Sequence, residues 1–398
     1  MTATLIFILI LSFLVVIHEL GHYLAAKWAK VKVEEFGLGY PPKAITLFSH
    51  KGTPFTLNWV PFGGFVRMDG EEGAPDEEKN SASAKLSKPS KSAKVSKLEK
   101  EKSANIANTE GPFYSKSASK RMIVILAGVV VNFVFGIIAF TIVYLFQGIP
   151  TFIDQARVIQ VAENSPAAEA GIPVDVNIIA IRDGSDTIPV STNQEVAEAV
   201  SARRGQSIVL ITTGTCKALT CDESAQEFTT YVRTAEETPD NEGAVGIGFA
   251  DQVFIFYPWY EQVVRGVFIG VQQAVLFGVF ILVSLFGIVK DIFQLGQVPT
   301  DIAGPVGIVH QAQTQGLFEQ GWLMILNFTG LLSINLAIMN LLPIPALDGG
   351  RALFILLEKV VGRSKVEKVE GYANYGGFIA LIGLILLITA RDIWRLFV

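Results

Sequence analysis

Four stretches of this chain are long and apolar enough to cross a lipid bilayer, and this constrains its fold more than any other feature. They are residues 4–28, 122–146, 322–342 and 372–390, each close to the roughly 20 apolar residues that a spanning helix needs. In hydrocarbon every backbone N–H and C=O must be paired within protein, so such stretches are helices. Half of the 398 residues are hydrophobic and only 17% are charged, the balance of a membrane protein with soluble parts. A net charge of −5 gives no basic footprint for nucleic acid.

The first stretch carries ionisable residues where they are costly. His18-Glu19-Leu20-Gly21-His22 lies inside it, and the chain has only four histidines. On a helix, His18 and His22 are i and i+4, so both imidazoles project from one face and can grip one metal ion. Glu19 is one residue on, about 100° around the helix, where it can act on water at the metal without being a ligand. Apolar flanks place this metallopeptidase motif at membrane depth. Residues 1–26 lack the basic start of a secretory signal, and Lys27, Lys30 and Lys32 follow the apolar run, so a retained span is expected.

Basic residues set the expected topology. Lys27, Lys30 and Lys32 follow the first span, Lys120 and Arg121 precede the second, and Arg351, Lys359, Arg363, Lys365 and Lys368 lie between the third and fourth. By the positive-inside rule these flanks are cytoplasmic, which puts 147–320 outside. Residues 274–289 are apolar but number only about 16, short for a span, and 263–273 contain Arg265, Gln272 and Gln273. A helix lying on or dipping into the outer leaflet is expected there; the alternative, a fifth span, would reverse everything after it and put the basic 351–368 loop outside.

The soluble parts read differently. Residues 31–70 contain four strand-like runs, 31–39, 44–48, 55–60 and 64–68, broken by Pro41-Pro42, Gly52 and Gly63-Gly64. Residues 71–118 are rich in Lys, Ser, Ala and Glu, the composition of a disordered insert. In 151–250, strand-like runs at 156–162, 177–182, 207–213 and 227–233 alternate with a short helix after Ser165 and a longer one opened by the capping box Thr192–Glu195. That order resembles a PDZ domain. Cys216 and Cys221 are either a disulfide, if this part faces an oxidising compartment, or two free thiols.

A catalytic zinc usually has three protein ligands and an open position. His50 falls in a loop and His310 on the outer side, so the third ligand is expected to be a carboxylate at membrane depth. Asp348 stands out, in Asn340-Leu-Leu-Pro-Ile-Pro-Ala-Leu-Asp-Gly-Gly-Arg351. It follows the third span at its cytoplasmic end, and His18 is about 14 Å along its helix from Lys27, towards the same side. The prolines and glycines unwind the helix, which is tolerated at this depth where backbone lines a cavity.

These two motifs, with a PDZ-like domain between them, resemble the site-2 protease family, and more narrowly its bacterial regulator of sigma-E protease branch. Phe36-Gly37-Leu38-Gly39, 61–68 and Gly304-Pro305-Val306-Gly307-Ile308 match as well, and so do Ala127-Gly128 and Asn132, although Val129 stands where the family usually has proline. One PDZ-like domain, where well-known members carry two, and the Lys/Ser insert are departures. The resemblance implies an intramembrane zinc metalloprotease with one Zn²⁺ held by His18, His22 and Asp348, Glu19 as general base, and Asn335 and Asn340 positioning substrate. It implies a multi-pass protein of the bacterial cytoplasmic membrane, its site towards the cytoplasm. The substrate would be a single-pass membrane protein of the anti-sigma-factor kind, trimmed beforehand by an upstream site-1 protease. A metal or ion carrier, or a PDZ-anchored scaffold, are the rival classes.

The expected fold is therefore a polytopic α-helical membrane protein of about four transmembrane helices, with a small membrane-associated β-sheet and one extracytoplasmic PDZ-like α/β domain. Its parts are the first span (1–30), the β region (31–70), the insert (71–118), the second span (119–147), the PDZ-like domain (151–250), an interfacial region (251–320), the third span with the Leu-Asp-Gly-Gly motif (321–351), a cytoplasmic loop (352–371) and the fourth span (372–398).

Overall fold

The computed structural model describes residues 2–71, 110–240, 242–295 and 303–395. The chain divides into two units, residues 1–143 with 270–398, and residues 144–269.

The first unit opens with helix α1 (Thr2–Trp28), the apolar run that carries His18 and His22. Strands β1 (Val33–His50) and β2 (Thr53–Met68) follow as one antiparallel pair with repeated register shifts. Phe36 faces both Val66 and Phe55, and Leu57 faces both Leu38 and Ile45, so the four expected runs lie side by side in the order 64–68, 33–38, 55–58, 45–50. The bends fall at Gly39, Gly52 and Gly63, all at positive φ, a conformation that residues with a side chain rarely adopt. One face stacks Phe36, Phe55 and Phe48 and packs on Tyr23 of α1. That burial seats the sheet directly beside the helix that bears the histidines.

Residues 72–109, the body of the expected disordered insert, lie outside the described residues. Its trailing margin is ordered, contrary to the expectation for 110–118. Lys32 donates to Gly111 O (3.1 Å), Gly111 to Lys30 O (3.0 Å), and Phe113 is buried in a short 3-10 turn, Phe113–Ser115. One large apolar side chain is enough to dock the returning chain. Helix α2 (Ala118–Gln147) then begins.

The second unit is a sheet with two helices. Its elements are β3 (Ile149–Val161), α3 (Pro166–Glu169), β4 (Val176–Asp183), β5 (Asp186–Pro189), α4 (Asn193–Ser201), β6 (Ser207–Thr212), β7 (Cys216–Lys217), β8 (Thr220–Cys221), β9 (Gln226–Tyr231) and β10 (Ile247–Ile255). The sheet order is β10-β3-β4-β6-β9, with β5 on β4. Val158, Ile178, Ile181, Ile208 and Leu210 from its strands and Val196 from α4 form the buried core. The capping box forms as read: Thr192 Oγ1 accepts from Glu195 N (3.2 Å), and Glu195 Oε2 accepts from Thr192 N (3.3 Å). Cys216 and Cys221 are bonded and close the β7–β8 hairpin.

Helix α5 (Trp259–Leu295) is continuous over 37 residues. The short apolar stretch and the mixed one before it are thus a single helix, because polar side chains on one face do not interrupt a backbone that pairs with itself. From Gly270 onward it belongs to the first unit, where Gly270 meets α2 at Thr141. Helices α6 (Pro305–Thr314), α7 (Trp322–Leu341), α8 (Asp348–Val361) and α9 (Arg363–Arg395) complete that unit. Gly278 of α5 lies against Ile338 of α7. Five helices among the described residues, rather than four, are long and apolar enough to cross a membrane: Ala3–Trp28, Ala118–Gln147, Trp259–Asp291, Trp322–Leu341 and Arg363–Arg395. The stretch 352–371 is helical rather than a loop, interrupted only at Gly362 (φ 93°). Charges on its polar face find partners, Glu358 with Arg121 and Arg363 with Glu367.

Candidate metal centre

Helix α1 presents His18 and His22 on one face, and α2 crosses that face at its two small residues. A Cβ on Gly21 would lie 2.7 Å from Ala127 O, and one on Gly128 would lie 2.5 Å from His22 Nε2 and 2.8 Å from His18 Nε2. Only a glycine lets α2 come this near the imidazoles. Helix α7 ends at Leu341, the chain turns through 342–347 with Ala346 at φ 75°, and α8 starts at Asp348. Cβ atoms on Gly349 and Gly350 would lie 2.1 Å from Leu341 O and 2.2 Å from Ile344 O, so both glycines are needed to fold this turn back on itself. Asn374 Oδ1 of α9 accepts from Ala346 N (3.1 Å) and holds the turn from the other side.

The result is a convergence of three ligand atoms. His18 Nε2 lies 3.0 Å and His22 Nε2 3.4 Å from Asp348 Oδ2, and the two Nε2 atoms are 3.1 Å apart. Among the described residues this is the cluster of three or more metal-ligating side chains. His50, at the end of β1, and His310, on α6, are exposed and take no part.

The chemistry of these groups fits a cation. His22 Nδ1 is 2.9 Å from Val124 O, a carbonyl that can only accept, so Nδ1 carries the proton and Nε2 offers a bare lone pair. His18 Nδ1 faces the side-chain amide of Asn132 (3.4 Å), which is fully buried and whose Oδ1 otherwise lacks a partner. Placing that oxygen against Nδ1–H satisfies both and leaves His18 Nε2 bare as well. Asp348 Oδ2 is buried without a hydrogen-bond donor. Two imidazole lone pairs and a carboxylate oxygen do not face one another at these distances without positive charge between them. Tetrahedral zinc with ligands at 2.0–2.1 Å separates them by roughly 3.3 Å, close to the observed spacings.

The other residues singled out from sequence divide. Glu19 is half-buried on α1, next to His18, and its Cγ lies 3.7 Å from where a Cβ on Gly64 would sit, against the start of the 64–68 run of the sheet. Asn340 Nδ2 is 3.5 Å from His18 Nε2. Asn335, on the same helix, is half-buried, and no hydrogen bond of the described residues joins it to the cluster. Five residues turn a helix by about 140°, so the two asparagines present to different sides. The Val124 carbonyl was not legible in the sequence, since any residue there offers one. Ser333 was also missed; its Oγ donates to Asn132 O (2.8 Å) and ties α7 to α2 beside the cluster.

Comparison with known proteins adds an independent line. The family model described as "Peptidase family M50" matches residues 6–384. The chain is 31% identical to the zinc metalloprotease RasP of Oceanobacillus iheyensis, over 100% of both chains. It is 28% identical to the regulator of sigma-W protease RasP of Bacillus subtilis, over 98% of each. It is 27% identical to the zinc metalloprotease RasP of Geobacillus kaustophilus, over 98% of this chain and 97% of the other.

Proposed function

Because the chain belongs to peptidase family M50, the site-2 proteases, and is a multi-pass membrane zinc metalloprotease, we propose that it cuts a single-pass membrane protein within its spanning segment, using Glu19 as general base. The observation that carries this reading is the meeting of His18 Nε2, His22 Nε2 and Asp348 Oδ2 beside Glu19.

In this reading His18, His22 and Asp348 hold one Zn²⁺. When bound, zinc supplies Lewis-acid polarisation of the scissile carbonyl and acidifies water. The Glu19 carboxylate takes a proton from the attacking water and delivers it to the leaving amine. Val124 O and Asn132 fix the two imidazoles in the tautomers that ligation needs. Asn340, next to His18, donates from its amide to the oxygen that gains charge. Asn335 steadies the substrate further along α7.

A spanning helix hides its peptide bonds, since its backbone groups are already paired. Run 64–68, at one edge of the four-run sheet and beside Glu19, offers strand pairing to an unwound stretch of substrate. The basic flanks between the first two spans, Lys27, Lys30, Lys32, Lys120 and Arg121, favour a site towards the cytoplasm of a bacterial cytoplasmic membrane, with 144–269 outside. The Cys216–Cys221 bond suits an oxidising exterior.

The outer unit acts as a PDZ-like substrate filter. A cavity of about 180 Å³ lies between α4, which supplies Val196 and Val200, and β10, which supplies Ile247 and Phe249. Strand β10 is at the sheet edge, and this groove suits an extended peptide that ends there, such as one left by an upstream protease. A relative named for regulating sigma-W supports an anti-sigma factor as the class of substrate.

The test uses purified full-length protein in liposomes with a tagged single-pass substrate lacking its outer domain. Cutting inside the span, lost in Glu19→Gln and on chelation, and restored by zinc, is expected. Base removal should cost about 10²–10⁴-fold in rate. A Glu19→Gln protein as active as wild type would overturn the assignment.

A further inference from the structure

Helix α8, which carries Asp348 in its first turn, is fastened to the rest of its unit by two ion pairs that the chemistry so far does not use. Arg351 lies one turn beyond Asp348 and donates from Nη1 to Glu71 Oε1. Glu71 stands just past the end of β2, and its Oε2 accepts from Met68 N (3.4 Å), so the carboxylate is itself tied to the end of run 64–68. Further along α8, Glu358 takes both arms of Arg121 from the first turn of α2, with Nη1 to Oε1 at 2.9 Å and Nη2 to Oε2. Both partners of that second pair are 8% exposed.

Neither pair adds much net stability: Arg121 and Glu358 have lost their water, and Arg351 and Glu71 are 32% and 20% exposed. What they add is direction, since a guanidinium fork meets a carboxylate in a narrow range of angles. Here the direction they fix is the rotation of α8 about its axis, which aims Asp348. The Arg121 fork anchors α8 to α2, the helix whose Val124 O and Asn132 orient His22 and His18. The Arg351 contact anchors its first turn to the Met68 end of run 64–68, whose Gly64 end lies beside Glu19.

We propose that Glu71 is a positioning residue: through Arg351 it sets the rotation of α8 that points Asp348 at His18 and His22, and ties that aim to the seating of run 64–68. This rests on the reading of those three residues as zinc ligands. A cavity of about 420 Å³, lined by Glu71, Arg121, Arg351, Glu358 and Glu370 among others, opens between the two pairs. Residue 71 therefore accepts substitution without overpacking, and Glu71→Gln removes a charge rather than the fold.

The experiment compares wild type, Glu71→Gln, Glu71→Asp and the remote exposed-pair variant Arg182→Gln, all full-length. It reads zinc affinity against a competing chelator, the ligand-field spectrum with cobalt substituted, and kcat and KM on the tagged substrate. Glu71→Gln is expected to weaken zinc binding and lower kcat by roughly 10–100-fold, the scale of outer-shell partners of metal ligands. Its cobalt spectrum should shift and its KM should change little. Glu71→Asp should recover most of the loss, and Arg182→Gln should match wild type. Wild type that binds zinc, with a Glu71→Gln protein equal to it in zinc affinity, spectrum and kcat, overturns the inference alone. Wild type that holds no zinc overturns the underlying reading, and the inference with it.

Discussion

Replacing Gly128 with alanine adds one methyl group at the point where α2 touches the two imidazoles. The new Cβ would lie 2.5 Å from His22 Nε2, 2.7 Å from His18 Cε1 and 2.8 Å from His18 Nε2. To regain the 3.4 Å of ordinary contact, the His22 ring must retreat by roughly 0.9 Å and the His18 ring by roughly 0.7 Å. Neither has an easy route. His22 is held by Val124 O on the same helix as the new methyl group, and His18 by Asn132, also on α2. Separating the helices is blocked by the Gly21 contact with Ala127 only in the inward direction, so α2 can back away, carrying both orienting groups with it. Either way the ligand atoms leave the tolerance of about 0.5 Å within which such a site works. A displacement near 1 Å is worth about 10²-fold in rate, or about 2.7 kcal/mol of barrier. Overpacking also lowers stability by about 1–3 kcal/mol. The assay is zinc competition together with cleavage of the tagged substrate, with Gly287→Ala, where a Cβ meets nothing within 4 Å, as the control. A Gly128→Ala protein that holds zinc and cuts within threefold of wild type would refute the argument that α2 packs on the ligands.

Two further outcomes are expected. Asn340→Ala should lower kcat by about 10²–10³-fold with zinc retained if it donates to the developing oxyanion, whereas Asn335→Ala, without a bond to the cluster, should act mainly on KM; single-turnover cleavage against substrate titration separates them. In the second unit, Glu237 accepts from Thr234 N (2.9 Å) and from Tyr231 Oη (3.1 Å), bonds that hold its carboxyl below the usual range. Its contribution is therefore present above the unfolded pKa, about 4.3, and lost as pH falls through the lower folded value. Protection of residues 231–238 against hydrogen exchange, relative to the intrinsic rate at each pH, should fall as pH drops below about 4 in wild type and lose that dependence in Glu237→Gln.

Legibility varied along the chain with the range of the interactions involved. The four runs of the β region were readable because glycine and proline mark each bend locally, and the capping box because Thr192 and Glu195 satisfy each other's backbone. Strand β10 was missed because Gly246 and Gly248 break its pattern, and its partner β3 lies nearly a hundred residues earlier, beyond any local signal. The length of α5 is not legible in the sequence because Arg265, Gln272 and Gln273 interrupt its apolar pattern. The glycines that let it pack, Gly270 against Thr141 and Gly278 against Ile338, answer to partners on other helices. The ordered margin at 110–118 turned on one residue, Phe113, whose value depends on the pocket it fills.

The sequence alone settled what a helical repeat settles. With 3.6 residues per turn, His18 and His22 share a face whatever surrounds them, and Glu19 stands beside them. It also singled out Asp348, since a carboxylate next to prolines and glycines at membrane depth needs a partner. Only the tertiary structure decided that the carboxylate reaches the two imidazoles, with Oδ2 at 3.0 and 3.4 Å from their Nε2 atoms. That meeting depends on α2 passing within glycine distance of α1, on a turn folded tightly over Gly349 and Gly350, and on ion pairs that fix how α8 is rotated. Each is a contact between residues far apart in the chain, and local periodicity holds no record of which distant side chains will fill the same few cubic ångströms.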